Sequence, residues 1–222
     1  MQKFSFRAQE MLNNPKHFIN EEGPSIDEFH WSFFLQESAT APIRDKILTL
    51  HYKYKLVNEY DLLFLEALSR LGEGQTIEAI NRLSFRETEN FLRDENHQST
   101  FLEESENLAQ MSFKRVKNSL LEAFVKKKMQ EKLPLDQAKL WNFSNWNDLI
   151  FVEKNRKVLA FLSQLNTLFP NEGSLQLLLV EGQEITIKLN DFPLSLEVVE
   201  LLMNNFFLKT EKKTSLKVVA AL

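Results

Sequence analysis

The apolar residues of this chain follow two different periods, and this limits what it can fold into. From Ile47 to Leu56, hydrophobic and polar side chains alternate, as in a strand with one buried face. The residues predicted to share that face are Leu48, Leu50, Tyr52 and Tyr54. From Glu59 onwards the spacing becomes helical, and both periods recur later in the chain. A chain that changes period in this way is expected to combine separate strands and helices.

The first half of the sequence predicts one hairpin accompanied by helices. Phe29–Leu35 is rich in aromatic residues and is the predicted antiparallel partner of the strand that starts at Ile47. Ser84 and Glu87 have the spacing of a capping box, which opens a helix. The longest helical pattern runs over residues 104–132.

The second half repeats this mixture on a smaller scale. Two apolar segments, Leu175–Val180 and Ile185–Leu189, flank a Glu-Gly-Gln-Glu turn and predict a second hairpin. Pro193 is predicted to lie in the first turn of a further helix. A last short strand is predicted at Leu216–Val219.

These patterns predict an α+β fold with two domains. The predicted fold is an antiparallel hairpin or small sheet packed with helices, followed by a second small α+β unit. Leu133-Pro134 marks the predicted boundary between a domain at 1–132 and a domain at 133–222. With 19 Phe but only 5 Gly and 6 Pro, the composition favours a well-filled core over disorder.

Composition and charge exclude several classes of function. The 222 residues include no cysteine, so the chain alone cannot form a disulfide, a thiolate nucleophile or a cysteine-ligated zinc or iron–sulfur site. Lys and Arg total 27 and Asp and Glu total 31, a net charge of −4 that disfavours nucleic acid as a partner. The sequence shows neither a signal peptide pattern nor an apolar run long enough for a bilayer. We therefore expect a cytoplasmic protein without a membrane partner.

The densest polar cluster follows the predicted helix that Ser84 opens. Asp94, Glu95 and His97 could bind one hard metal ion through oxygen and imidazole ligands. The segment from Arg93 through Asp94 and Glu95 to Asn96 could instead contact a protein partner. The alternative is a solvated loop in which Asp94 and Asn96 satisfy the hydrogen bonds of a turn.

Other candidate sites are less specific. His30 and His51 lie on the two strands of the first predicted hairpin, where they could form a two-histidine metal site or supply a general base, or could simply pack. Basic clusters at Lys126–Lys128 and at residues 209–213 could contact an acidic partner or RNA, or could be solvated. The sequence has neither a Gly-x-Ser-x-Gly elbow nor a glycine-rich phosphate loop. It therefore predicts neither enzymatic activity nor a bound cofactor.

Aromatic residues crowd the first predicted strand. Alternation sends Phe29, Trp31 and Phe33 to one face and Phe34 to the other. If both faces are apolar, each must be covered, either by helices of the same chain or by a second subunit.

The order of motifs in the first half resembles the N-terminal domain of NifU-type iron–sulfur cluster scaffolds. The resemblance rests on Phe4-Ser-Phe-Arg, on Leu12-Asn-Asn-Pro15, and on the hairpin and helix that follow. Gly74-Gln-Thr stands where that family has a Gly-Lys-Ser/Thr motif, and the likeness covers residues 4–125. The second half resembles, more weakly, the small C-terminal domain of NifU-like proteins.

The chain departs from this family at its ligands. The family holds a cluster with three cysteines, helped by an aspartate and a histidine. Asn58 stands at the central cysteine position, residues 27–30 at the first, and His97 corresponds to the histidine. Because cluster iron prefers thiolate sulfur, the resemblance implies a scaffold that has lost its cluster chemistry.

The resemblance implies a non-catalytic binding or adaptor protein related to iron–sulfur cluster assembly, with a protein of that machinery as its partner. The alternative is a homodimeric interaction or structural protein unrelated to iron, formed through aromatic faces. A third reading is an enzyme that uses Asp, Glu and His as metal ligands.

Overall fold

The computed structural model describes residues 4–19, 29–54, 57–95, 99–101, 103–132, 146–169, 173–208 and 215–221. Helices accompany two separate small sheets, which confirms the α+β fold class. The chain divides into two compact units, Met1–Ala123 and Phe124–Leu222. This division falls within the longest helix, whereas the boundary expected from the sequence lies at the end of that helix.

The described residues of the first unit form one hairpin and five α-helices, the last of which continues into the second unit. In chain order the elements are α1 (Phe6–Asn13), β1 (Phe29–Gln36), a 3-10 turn (Pro42–Arg44), β2 (Lys46–Tyr54), α2 (Glu59–Gly72), α3 (Ile77–Arg82), α4 (Phe85–Leu92) and α5 (Glu103–Lys132). The capping box predicted from Ser84 and Glu87 is present at the start of α4, which confirms that prediction.

β1 and β2 form the predicted antiparallel hairpin, with one irregularity. Phe34 lies opposite Thr49, but the next residue of β1 lies opposite Ile47, so Leu48 is an extra residue in the ladder. Such a bulge reverses the alternation of side chains. Leu48 is consequently 42% exposed while Ile47 is buried. The prediction that Leu48 shares the buried face of the strand is therefore wrong.

The aromatic face of β1 is covered by α5 of the same chain. Phe29 and Trp31 are buried, and the Trp31 indole N–H donates to the Ser119 hydroxyl at 2.8 Å. The Arg115 guanidinium lies 5.3 Å from the centre of the Phe29 ring. Phe34 points to the opposite face and is 67% exposed.

An aromatic cluster forms much of the core of the first unit. Its rings have centroid separations of 5.2 to 6.2 Å and are Phe4, Tyr60, Phe64, Phe85, Phe101 and Phe113. These residues come from α2, α4, α5 and the segments that precede α1 and α5. The cluster therefore holds together elements that are far apart in the sequence.

In the described residues of the second unit that follow α5, two helices pack with a three-stranded sheet. These elements are α6 (Phe151–Leu168), β3 (Ser174–Glu181), β4 (Glu184–Asn190), α7 (Leu196–Phe207) and β5 (Lys217–Ala220). The sheet order is β3-β4-β5, with β3 and β4 antiparallel, as predicted, and β4 and β5 parallel.

The start of α7 differs from the prediction. The helix begins at Leu196, and the Ser195 hydroxyl caps it by accepting the Val198 N–H at 3.4 Å. Serine is a preferred residue at this position because its oxygen satisfies a free backbone donor. The expectation that Pro193 lies in the first turn is wrong, because Pro193 precedes the cap.

Candidate functional site

Asp94, a predicted metal ligand, caps helix α1. Its carboxylate oxygens accept the backbone N–H groups of Phe6 at 2.5 Å and Arg7 at 2.7 Å. The Ser5 hydroxyl donates to the Leu92 carbonyl at 2.5 Å beside it. A carboxylate at a helix N-terminus satisfies free donors and meets the positive end of the helix dipole. Asp94 therefore joins two segments that are more than eighty residues apart in the sequence.

The residues next to Asp94 in the sequence do not share its contacts with α1. The Arg93 guanidinium pairs with Glu89 at 2.9 Å. The Glu89 carboxylate also accepts the Ser99 hydroxyl at 2.8 Å and the Thr100 N–H at 3.2 Å. Glu95 is exposed.

Two members of this predicted cluster, Asn96 and His97, lie outside the described residues. Among the residues that the structure describes, no group of three or more His, Cys, Asp or Glu side chains could hold a metal ion. The metal-binding role of His97 and the partner-binding role of residues 93–96 stay predictions.

The two strand histidines are not opposite each other. His30 lies opposite Lys53, whereas His51 lies opposite Ser32. The ring centre of His51 is instead 6.1 Å from that of His17, a residue that sequence reasoning had not selected.

The structure describes one of the two predicted basic clusters. The Lys127 and Lys128 ammonium groups lie 3.2 and 3.0 Å from the Glu131 carboxylate, and Lys128 is buried. Their charge is therefore shared with an acidic residue one turn further along α5. The cluster at residues 209–213 includes Lys209, Lys212 and Lys213, which lie outside the described residues.

Asn58, the residue expected at the central cysteine position, is the N-cap of α2. Its side chain accepts the Asp61 N–H at 2.9 Å, and the Asp61 carboxylate accepts the Asn58 N–H at 3.3 Å. Asp61 is completely buried and forms an ion pair with Arg115. Its other carboxylate oxygen is buried without a hydrogen-bond partner in the described part of the chain. Asn58 thus takes part in a reciprocal helix cap with Asp61, which also forms a buried ion pair. The first cysteine position was expected within residues 27–30, of which residues 27 and 28 lie outside the described part of the chain.

Glu66 on α2 is the centre of a buried polar network that the sequence analysis missed. The Glu66 side chain is only 1% exposed. One oxygen accepts Arg70 Nε at 2.7 Å, the Lys16 N–H at 3.0 Å and His17 Nδ1 at 3.2 Å. The other accepts the Tyr52 hydroxyl at 3.1 Å and the His17 N–H at 3.2 Å. Five donors therefore converge on one carboxylate.

The network favours the ionised form of Glu66. Burial alone raises the pKa of this carboxyl, but hydrogen bonds from Lys16, Arg70 and His17 outweigh burial, and the pKa falls below its usual value. Burial and the neighbouring Glu66 charge raise the pKa of the Tyr52 hydroxyl, which stays protonated and donates.

The Glu66 network fastens the segment after α1 to the hairpin. The Tyr52 N–H donates to the His17 carbonyl at 3.0 Å, and the Ile19 N–H donates to the Tyr52 carbonyl at 3.0 Å. His17 Nε2 also lies 3.4 Å from Glu73. Through these bonds Glu66 joins helix α2 to strand β2 and to the segment after α1.

The outer face of the hairpin carries an exposed apolar pair, Phe34 and Leu48, which we call the hairpin patch. The bulge at Leu48 places it on the same outward face as Phe34. Exposed large apolar side chains that lie together often mark a protein contact. The hairpin patch is therefore a candidate docking surface in the first unit.

Comparisons with protein-family models, with curated proteins and with solved structures found no match. Within the described ranges, no helix combines the length and the apolar character needed to cross a bilayer.

Proposed function

We propose that this protein is a cysteine-free relative of NifU-type scaffolds that acts as a non-catalytic binding protein for a component of iron–sulfur cluster assembly. In this proposal the docking function is retained and the cluster site is lost. The partner is a protein of the assembly machinery, such as a cysteine desulfurase.

The proposal depends chiefly on the contacts that Asn58 makes. The resemblance places the central cluster ligand there, and the residue present is a reciprocal helix cap beside the buried Asp61–Arg115 pair. An asparagine that caps a helix contributes to stability and offers no thiolate for iron. A scaffold altered in this way could keep its fold and its binding surface without carrying a cluster.

The order of the elements gives further support. A helix, a hairpin and a series of helices in the first unit, followed by α-β-β-α-β in the second, is the order that the resemblance implies for the two NifU-like domains. This order supports the proposal together with the motifs quoted for the resemblance.

The hairpin patch is the docking surface that we assign to the partner. Phe34 is an aromatic side chain held on a strand, and aromatic anchors contribute strongly at protein interfaces. We expect a partner to bury Phe34 and Leu48 together.

A binding titration tests this proposal. Purified cysteine desulfurase from the same organism is titrated against the wild-type chain, a Phe34→Lys variant and a Met111→Lys control, which changes another exposed apolar residue of the first unit. Wild type and control should bind alike, whereas Phe34→Lys should bind at least about tenfold more weakly, as for the loss of an interface anchor. Absence of wild-type binding to the desulfurase and to other assembly components would overturn the proposal.

A further inference from the structure

The segment that follows α1 lies along the edge of β2 that faces away from β1. We call residues 15–19 the strap. The Tyr52 N–H donates to the His17 carbonyl, and the Tyr52 carbonyl accepts the Ile19 N–H, both at 3.0 Å. The centre of the Phe18 ring is 6.0 Å from that of Tyr52. The strap therefore covers this edge of β2 at Tyr52.

The side chain of His17 lies between two carboxylates. Its Nδ1 is 3.2 Å from a Glu66 oxygen, and its Nε2 is 3.4 Å from a Glu73 oxygen. Glu73 is itself held at β2, because its other oxygen accepts the Leu50 N–H at 3.2 Å. The His17 side chain is only 11% exposed. Both nitrogens of one buried ring therefore face hydrogen-bond acceptors.

This geometry suits the protonated ring of His17. An ionised carboxylate only accepts hydrogen bonds, and a neutral imidazole has a single N–H. Only the imidazolium ion can donate to both carboxylates at once, because the neutral ring turns one lone pair towards a negative oxygen. The hydrogen bond to Glu66 can form in either state, whereas the one to Glu73 requires the second proton.

The charges around His17 balance when its ring is protonated. Among the described residues, the titratable groups around it lie on α2, at the C-cap of α2, on β2 and on the strap itself: Glu66, Arg70, Glu73, His51, Tyr52 and Lys16. Arg70 pairs with Glu66 at 2.7 Å, which leaves the charge of Glu73 for the imidazolium. The Tyr52 hydroxyl donates to Glu66, and the His51 ring centre is 6.1 Å from that of His17.

We infer that His17 is a pH-sensitive latch for the strap. When its ring is protonated, it bridges Glu66 and Glu73 and holds the strap on β2. When the ring loses its proton, the hydrogen bond to Glu73 is lost and the strap loosens. The backbone N–H and carbonyl of Tyr52 then become accessible to solvent.

The direction of the effect follows from the proton that the Glu73 contact requires. A hydrogen bond that needs this proton is complete at low pH and is lost as the pH rises, so the strap is tightest on the acidic side. Glu66 keeps its charge in both states, because hydrogen bonds hold the pKa of its carboxyl below the usual value. The latch does not depend on the proposed link to iron–sulfur assembly, since it uses neither Asn58 nor the hairpin patch.

Hydrogen exchange at single amides tests the latch. The Ile19 and Tyr52 N–H groups join the strap to β2, whereas the Ile47 N–H donates to the Gln75 carbonyl at 2.8 Å on the same edge, outside the strap. From pH of about 5 to about 8, where histidine ordinarily changes charge, protection of Ile19 and Tyr52 should fall about fivefold after correction for the intrinsic exchange rate, as for the loss of one hydrogen bond. Protection of Ile47 should not change.

A fall in protection that Ile47 shares would show a general loosening of the sheet and would overturn the latch. Constant protection of Ile19 and Tyr52 over this range would also overturn it.

Two substitutions identify the groups responsible. Glu73→Gln keeps the length of the side chain, and its amide can accept from the protonated His17 ring or donate to the neutral one, so protection of Ile19 should no longer depend on pH. His51→Gln removes the neighbouring histidine and should keep the pH dependence of the wild type. Circular dichroism checks that both variants are folded. A pH dependence that survives Glu73→Gln, or one that disappears in His51→Gln, would overturn the assignment to His17 and Glu73.

Discussion

Glu66 lies within a run of buried apolar residues on α2, and five donors converge on its two carboxylate oxygens. A buried charge of this kind is tolerated only when its hydrogen-bonding capacity is filled. The donors come from α2 itself, from β2 and from the segment after α1. A single side chain thus links three parts of the first unit.

Replacing the Glu66 carboxylate tests this link. Glu66→Gln keeps the shape of the side chain, but it places an amide NH₂ group among hydrogen-bond donors. It also leaves Arg70 without its charged partner. Removing one member of a buried charged network costs about 3 kcal/mol. We expect urea denaturation to show a loss of this size, with Glu10→Gln, an exposed acid on α1, as the matched control. A loss no larger than that of the control would contradict the account.

The contribution of Glu66 should also depend on pH. Because the folded state lowers the pKa of Glu66, its contribution to stability is complete above the pKa of the unfolded chain, about 4.3. The contribution is lost as the pH falls from there through the lower folded pKa. The difference in unfolding free energy between wild type and Glu66→Gln should therefore be constant near pH 6 and shrink below pH of about 4. A difference that grows on acidification would reverse the assigned sign.

Among the elements, α1 depends on a residue that is distant from it in the sequence. The Asp94 carboxylate accepts the Phe6 and Arg7 N–H groups at the first turn of the helix. The helix has only eight residues, too few to be stable in isolation. Its order therefore comes from this cap and from its packing.

Removing the cap should loosen α1 locally. Asp94→Ala leaves the Phe6 and Arg7 N–H groups without their acceptor and should cost about 1 kcal/mol. Amide hydrogen exchange at these residues should become faster, while Glu95→Ala, at the exposed neighbouring position, should not change it. Unchanged exchange in Asp94→Ala would show that the cap is dispensable.

The elements themselves could be predicted from local patterns, but their irregularities could not. Alternation predicted the strand β2 of the first hairpin, two apolar segments around a turn predicted the second hairpin, and the Ser84–Glu87 spacing predicted the start of α4. The bulge at Leu48 depends on the pairing of two strands, which a single strand does not encode. The Glu66 network joins residues up to fifty positions apart, so local spacing could not show that they meet. One local signal was present, because a glutamate within an apolar helical run needs buried partners.

For the whole molecule, we propose that the fold has been retained and that cluster chemistry has been lost. The chain has no thiol, and Asn58, at the proposed ligand position, serves as a helix cap. In the described part of the first unit, the hairpin patch is exposed to solvent. We assign the hairpin patch to a partner protein. In the proposal, a partner protein docks on this surface.

The most direct test of this account is the amount of inorganic sulfide bound after anaerobic reconstitution with ferrous iron, L-cysteine and a cysteine desulfurase. After removal of small molecules and separation from the desulfurase, the chain should carry no more sulfide than an unrelated cysteine-free protein treated in the same way. Stoichiometric sulfide together with iron on the purified chain would contradict the proposed loss of cluster chemistry.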